Sequence, residues 1–222
     1  MATPSCLATQ GFVLSKDLTG KGDFFRSDVL SLHYGLIYCF HRQNHGSDAL
    51  PPVELFDFAN FSLKRSSPQY RGWLITDYHP VQQYTAIAKY YDAFCYACQF
   101  TNFLRPRLSS LNSDLLQAFC RLTARTLFAW REGVRPDIVF FKALYLVARH
   151  EGLPIREQWQ ASLPKEQSNA IQEVLKLPIS QQTTEPEQVL TWLNELDASG
   201  VLNGSIMPSK GSGHFFKGTS KN

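Results

Sequence analysis

The sequence predicts an α+β protein in which a small five-stranded, OB-like β-barrel is followed by an all-α region. Up to about residue 82, short aromatic-rich apolar runs alternate with turn-forming residues; after Pro80 the apolar residues recur at helical spacing. The chain has 222 residues, of which 44% are hydrophobic and 18% charged, so it is long enough for one or two domains with a buried core. This composition excludes disordered, collagen-like and mucin-like classes.

Five strands are predicted in a barrel domain over residues 1–82. Turn-forming residues separate the apolar runs, as in Leu18 to Gly22 and Asn44 to Asp48. Closing five short strands into a barrel of the OB or SH3-like kind removes the exposed strand edges. The predicted strands include Gly11–Leu14, Phe24–Ser31, Gly35–His41, about Val53–Leu63, and Trp73–His79.

A helical domain is predicted over residues 83–207, followed by a flexible tail of Gly, Ser and Lys residues at 208–222. The first helix is apolar on nearly every face, which is typical of a helix inside a bundle. Asn112 or Ser113 is a candidate N-cap, and Thr184 with Glu187 has the spacing of a capping box. The predicted helices are Tyr84–Phe103, Asn112–Trp130, one from Pro136 to a stop at Gly152, and residues 164–177 and 184–199.

The formal net charge is only +3, but the positive charge is concentrated in one segment. Residues 104–150 hold eight Lys/Arg against three Asp/Glu, whereas residues 1–103 hold eight of each. Such asymmetry indicates an acidic partner. The chain has no apolar run of membrane-spanning length and its start lacks the features of a secretory signal, so we expect a cytoplasmic protein with reduced cysteines.

Residues 11–42, GFVLSKDLTGKGDFFRSDVLSLHYGLIYCFHR, resemble the opening of the RecO family of bacterial recombination mediators. In that family a first strand leads to a Gly-x-x-Asp turn, a second apolar strand, and a Gly-Leu that opens a third strand ending in basic residues. The counterparts here are Phe12 to Leu14, Gly20 to Asp23, Phe25 to Leu30, and Gly35-Leu36 leading to His41-Arg42. The order and size of the elements remain similar to about residue 180, including a helix stop at Gly152-Leu153-Pro154.

The resemblance implies a non-enzymatic protein of DNA repair. Such a protein would bind single- and double-stranded DNA, anneal complementary strands, and act with RecR to load recombinase onto DNA coated by the single-stranded-DNA-binding protein, in the cytoplasm at the nucleoid. Many family members carry a four-cysteine zinc element, but this chain has no cysteine after Cys120, so neither a metal nor a cofactor is expected. The alternative is a barrel-plus-helix interaction scaffold that does not bind DNA, because the barrel segment is neutral and the zinc element is missing.

Basic residues near the predicted strand ends are candidate DNA contacts. OB-type barrels bind single strands with a cationic groove and with aromatic faces on which bases stack. Phe24, Phe25, Tyr34 and Tyr70 are the candidate aromatics, and the alternative is an ordinary solvated rim around core aromatics. The candidate cations, of which Arg42, Lys64 and Arg65 lead, are Lys16, Lys21, Arg26, His41, Arg42, Lys64, Arg65 and Arg71.

The arginine-rich middle segment is a second candidate site. Arg121 and Arg125, beside Leu122 and Phe128, could form an apolar pocket flanked by cations. The resemblance implies that the acidic, Phe-ending tail of the single-stranded-DNA-binding protein would bind there; DNA is another acidic partner. The alternative is a solvated helical face. Cys95-x-x-Cys98 lies in the most apolar helix, so we predict core packing for it and no zinc site.

Overall fold

The barrel is closed, with the strand order β1-β2-β3-β5-β4. Neighbouring strands are antiparallel except β3 and β5, which are parallel. A computed structural model describes residues 5–19, 24–42, 51–67 and 70–202, without the side chains of residues 66, 67, 70, 71 and 110. This OB-like barrel followed by helices confirms the predicted α+β architecture. The strands are β1 Cys6–Leu18, β2 Phe24–Ser31, β3 Gly35–Arg42, β4 Phe58–Ser67 and β5 Tyr70–Gln82.

The fourth strand begins later than the sequence predicts, because residues 53–57 form an irregular segment. Phe56 has a φ of 71°, a left-handed conformation that interrupts an extended strand. The segment still joins the barrel, since Val13 N donates to Asp57 O and Phe56 N donates to Val13 O. Asp57 is buried and accepts hydrogen bonds from Tyr78 Oη at 2.9 Å and Tyr84 N at 3.3 Å. Burial raises the pKa of Asp57.

Five α-helices follow in the described residues, and no helix there is both long and apolar enough to cross a membrane. The first begins seven residues later than predicted, because Thr85–Lys89 is a 3-10 helix and Tyr90 is extended. Tyr91, its first residue, is 58% exposed, so the helix is not apolar on nearly every face at its start. The helices are α1 Tyr91–Leu104, α2 Ser113–Arg131, α3 Pro136–His150, α4 Lys165–Lys176 and α5 Pro186–Ala198, with a 3-10 helix at Arg105–Ser110 and a π-helical turn at Ile155–Trp159.

The helix ends agree in part with the predicted caps. The Asn112 side chain accepts a hydrogen bond from Leu115 N at 2.8 Å, which confirms Asn112 as the N-cap of α2. The capping box at Thr184 and Glu187 is wrong. Glu185 occupies the cap position without a side-chain bond, and Pro186 supplies the first helical residue.

Two clusters of buried side chains hold the structure together. The barrel interior contains Val13, Val29, Phe61 and other apolar residues. The second cluster is continuous with the helices and includes Phe12 and Leu30, which alternate with the interior residues along β1 and β2. The helices therefore cover the outer face of β1 and β2, and they leave much of the outer face of β3 and β4 exposed.

Asp28 on β2 is a buried carboxylate at the contact between barrel and helices. Arg26 Nε donates a hydrogen bond to Asp28 Oδ1 at 3.2 Å, and Arg105, from the 3-10 helix that follows α1, forms an ion pair with Asp28 Oδ2. Gly35, with a φ of 70°, lets this 3-10 helix approach closely, because a Cβ there would lie 3.1 Å from Leu108 O. A buried, ionised carboxylate has lost its hydration, and paired cations of this kind offset that cost.

Replacing Arg105 with Met should destabilise the protein, because it removes the ion pair between the helical region and Asp28 of the barrel. We expect the free energy of unfolding to fall by about 2–3 kcal/mol, less than for a buried charge left alone, because Arg26 still pairs with Asp28. Urea unfolding measures the change, with Arg149→Met at an exposed position as the matched control. Equal midpoints for the two variants would contradict this role of Arg105.

Candidate functional site

One exposed face of the barrel combines cations with aromatic and apolar side chains. The strand register places Arg26 opposite Phe40, Phe40 opposite Leu74, and Leu74 opposite Lys64. Because alternate residues of a strand share a face, Tyr38 and Arg42 lie on the same side of β3 as Phe40. We call this surface the barrel face: Arg26, Tyr38, Phe40, Arg42, Lys64 and Leu74.

The two aromatic rings of the barrel face are held in place by their neighbours. Phe40 lies against the backbone of β5 at Gly72, where an added Cβ would come within 2.4 Å of a ring carbon. Tyr38 is 38% exposed, and the Arg26 guanidinium lies 4.9 Å from its ring centroid. These contacts fix both rings at the surface without burying them fully, as stacking on a planar ligand requires.

Arg42, Lys64 and Arg65, the leading sequence candidates, are exposed. None of the three forms an ion pair with a carboxylate in the described part of the chain. Lys64 is on the same cross-strand row as Phe40, Arg42 is two residues beyond Phe40, and Arg65 pairs with Trp73. The structure therefore places Arg42 and Lys64 on the barrel face with Phe40. Arg65 follows the other face of β4, because its partner Trp73 packs against the barrel interior.

Two other predicted cations are partly neutralised. Lys16 Nζ lies 3.8 Å from Glu54 Oε1 and 5.0 Å from the Phe25 ring centroid. Arg26 is paired with Asp28, although its side chain remains 43% exposed. Lys21 and the predicted tail 208–222 lie outside the described residues, as does the side chain of Arg71.

The sequence predicts that His41 contacts DNA as a cation, and its position contradicts that role. Its side chain points into the end of the barrel, where only 6% of the residue is exposed, and stacks on Phe25 at 5.3 Å between ring centroids. Burial first, and Lys16 second, lower the pKa of His41 to about 4. The imidazole is therefore neutral at pH 7 and supplies no positive charge to a phosphate.

Of the described aromatic candidates from the sequence, Phe24 shares the side of β2 that carries Arg26. Phe25 is partly buried against His41, and Tyr34 is exposed in the turn between β2 and β3. Phe24 is 36% exposed and lies opposite Arg42 on β3. The side chain of Tyr70 is outside the described part of the structure. The sequence analysis does not single out Tyr38 and Phe40. The signal that could have found them is the alternation of Leu36, Tyr38, Phe40 and Arg42 in one strand, which indicates a shared outer face.

A second site lies between α2 and α3, where a cavity of about 320 Å³ is lined by Arg121, Leu122 and Arg125. The expected grouping of these three residues is present, and Lys142 and His150 add to the same lining. Phe128 does not line the cavity. It is 48% exposed on another part of α2, where the Arg131 guanidinium lies 4.6 Å from its ring centroid.

The arginines of the middle segment fall into two groups. Arg107 is 3.4 Å from Glu151, Arg131 is 2.8 Å from Glu132, and Arg135 is 2.6 Å from Asp137, each measured between side-chain nitrogen and oxygen. Arg105 is paired with Asp28. Among the described residues, Arg121 and Arg125 have no such carboxylate partner and are exposed. Arg121 and Arg125 therefore place unpaired positive charge at this cavity, whereas Arg149, which also has no such partner among the described residues, does not line it.

Cys95 and Cys98 are half-buried in α1 with free thiols, and Cys98 packs against the core. Burial raises the pKa of Cys98 to about 11, so that its thiol is protonated at pH 7. Within the four described ranges, no three His, Cys, Asp or Glu side chains are grouped closely enough to hold a metal ion.

The chain matches no protein-family model and no curated protein.

Burial of neutral His41 predicts a specific loss of stability in acid. In the unfolded chain the imidazole takes up a proton near its ordinary pKa of 6.5, but in the fold it does so only near 4. The stabilisation is complete above pH 6.5 and is lost as the pH falls toward 4. Between pH 7 and pH 5 we expect the free energy of unfolding to fall by about 2 kcal/mol more in the wild type than in His41→Phe, which keeps a flat ring beside Phe25.

Chemical denaturation at several pH values measures this difference. His33→Phe, at an exposed turn, is the control and should retain the wild-type pH dependence. Parallel pH profiles for the wild type and His41→Phe would show that His41 is not protected from protonation.

Proposed function

We propose that the protein is a non-enzymatic nucleic-acid-binding protein that holds single-stranded DNA on the barrel face. The single observation that carries the proposal is the row Arg26, Phe40, Leu74 and Lys64 across four strands, with Tyr38 and Arg42 beside it. Cations neutralise phosphates and aromatic rings stack on bases, and these are the two components of sequence-independent single-strand binding. In OB-folds the surface of strands 2 and 3 commonly binds oligonucleotides, and the barrel face includes that surface.

The resemblance of residues 11–42 to RecO makes the proposal more specific. By that resemblance the protein would also bind double-stranded DNA, anneal complementary strands in DNA repair and recombination, and act with RecR to load recombinase, in the cytoplasm at the nucleoid. Neutralising the phosphates of two strands on one cationic surface reduces the repulsion between them, which favours annealing. A protein-interaction scaffold that does not bind DNA is the competing function.

Salt-titrated binding of a fluorescent single-stranded oligonucleotide tests the proposed DNA site. We expect affinity to fall steeply with salt, and Arg42→Ala/Lys64→Ala/Arg65→Ala to reduce the log–log salt slope by about 0.7 for each phosphate that the variant no longer neutralises. Tyr38→Ala should cost about 1–3 kcal/mol of binding free energy if a base stacks there, with little change in the salt slope. The matched control is Tyr34→Ala, an exposed tyrosine of the barrel that is outside the barrel face.

Two outcomes would contradict the proposal. Binding that is undetectable even at low salt would favour the scaffold. Binding that is unchanged in the triple variant but abolished in Arg121→Ala/Arg125→Ala would transfer the DNA site to the helices. Thermal unfolding of each variant establishes that the loss of binding does not come from loss of structure.

We infer a second function for the cavity between α2 and α3, as the binding site of an acidic peptide that ends in Phe. The supporting observation is that Leu122, Val139 and Leu146 line the cavity together with Arg121 and Arg125. An apolar ring would occupy the cavity while the guanidinium groups pair with the peptide's carboxylates. By the resemblance, the partner would be the C-terminal tail of the single-stranded-DNA-binding protein.

Fluorescence anisotropy with a labelled acidic peptide ending in Phe tests this site. Arg125→Glu should weaken binding at least tenfold, because it replaces an attractive charge with a repulsive one. Phe128→Ala is the matched control, since Phe128 lies outside the cavity, and it should bind the peptide as the wild type does. Equal loss in both variants, or no loss in Arg125→Glu, would be evidence against the cavity as the peptide site.

A further inference from the structure

A larger cavity lies on the other side of Lys142 and Leu146, between α3, α4 and the turn after α3. Its volume is about 510 Å³, within the range of about 300–1,000 Å³ that is typical of small-molecule sites. Tyr145 and Gln160 line it although they are only 3% and 4% exposed, so they form its floor. We call it the α3–α4 cavity. Apart from Lys142 and Leu146, which it shares with the cavity between α2 and α3, its lining has no part in the proposed DNA or peptide binding.

All the charged side chains that line the α3–α4 cavity are positive. Four cations line it, and none of its lining residues is an Asp or a Glu. No described carboxylate forms an ion pair with any of the four. Burial lowers the pKa of Lys142, so an anion beside its ammonium group would offset the cost of keeping it charged. The four cations are Lys142, Arg149, Arg156 and Lys176.

Hydrogen-bonding groups on the floor can bind to an oxyanion. Tyr145 Oη donates to Gln160 Oε1 at 3.3 Å and accepts from Arg156 Nε at 3.3 Å, while Gln160 Nε2 donates to Ser168 O at 3.3 Å. All three bonds are at the long end of the usual range, so they can be exchanged for shorter bonds to a ligand at small cost. Leu146, Leu175 and Ala161 form an apolar wall beside these polar groups.

We propose that the α3–α4 cavity binds the terminal phosphate of a nucleotide, with the nucleoside against the apolar wall. A phosphomonoester carries nearly two negative charges at pH 7 and presents three acceptor oxygens, which matches four cations with no competing carboxylate. Arginine pairs with phosphate through two parallel hydrogen bonds, and two of the four cations are arginines. The bound species is either a free mononucleotide or the 5′-phosphorylated end of a strand.

The geometry favours a terminal phosphate over an acidic peptide. An acidic peptide distributes its single charges over separate side chains, whereas a phosphomonoester concentrates nearly two charges and three acceptor oxygens in one group that can contact the cations and the floor donors together. The cavity also has a closed floor of buried side chains, which suits the end of a ligand better than the middle of a polymer.

Isothermal titration calorimetry of the full chain with dAMP, with deoxyadenosine and with an acidic peptide tests the proposal. We expect dAMP to bind at least tenfold more tightly than deoxyadenosine. Arg149→Gln/Lys176→Gln, at two exposed positions, should weaken dAMP binding at least tenfold without lowering the melting temperature. Lys165→Gln on α4 and Arg121→Gln at the neighbouring cavity are the controls and should bind dAMP as the wild type does. A 5′-phosphorylated oligonucleotide compared with its 5′-hydroxyl form then distinguishes a strand end from a free nucleotide.

The proposal is overturned if dAMP binds no better than deoxyadenosine, if the double variant binds dAMP unchanged, or if only the acidic peptide loses affinity in the double variant. These outcomes are independent of DNA binding on the barrel face. Arg42→Ala/Lys64→Ala/Arg65→Ala, which is expected to impair DNA binding at the barrel, should leave dAMP binding intact.

Discussion

The position of the helices against the barrel depends on one buried carboxylate, that of Asp28. Asp28 lies on a strand of the barrel, yet one of its two cationic partners, Arg105, comes from the helical region. A buried charge tolerates little displacement of its counter-ions, because their attraction offsets the desolvation cost only while they remain close. The pair therefore fixes the position of the helices against β2 more specifically than apolar packing around it could. It also turns Arg26 toward Tyr38, so the same contact helps to form the barrel face.

The sequence predicts the architecture because the hydrophobic period is a local signal. Five apolar runs separated by turn residues, followed by helical spacing, are sufficient for the barrel and the helices. The errors are of another kind. A left-handed residue at Phe56 delays β4, and an extended Tyr90 delays α1. Neither conformation is visible in residue type, because each depends on what the rest of the fold requires at that point.

The sequence predicts the candidate sites only where it also indicates which side chains are exposed and which are buried. Arg121 and Arg125 share a helical face, as their i, i+4 spacing indicates, and they line a common cavity with Leu122. His41 could not be assigned correctly, because a histidine at a strand end looks solvent-exposed until the stacking with Phe25 is seen. The sequence does not group the cations of the α3–α4 cavity, because they come from α3, α4 and the turn at Arg156, which are separate along the chain. Phe128 has the helical spacing of Arg121 and Arg125, but it lies a turn further along α2 and does not line the cavity.

Lys142 and Leu146 belong to the walls of both cavities on the helical region. The Lys142 ammonium donates a hydrogen bond to Leu177 O at this shared wall. Anions bound at both proposed sites through Lys142 would compete for one cation even though they never touch each other. Thermodynamic linkage requires this antagonism to be reciprocal: whatever factor the first occupant imposes on the affinity of the second, the second imposes on the first. If both proposed sites hold an anion at Lys142, this one lysine on α3 couples the two cavities negatively.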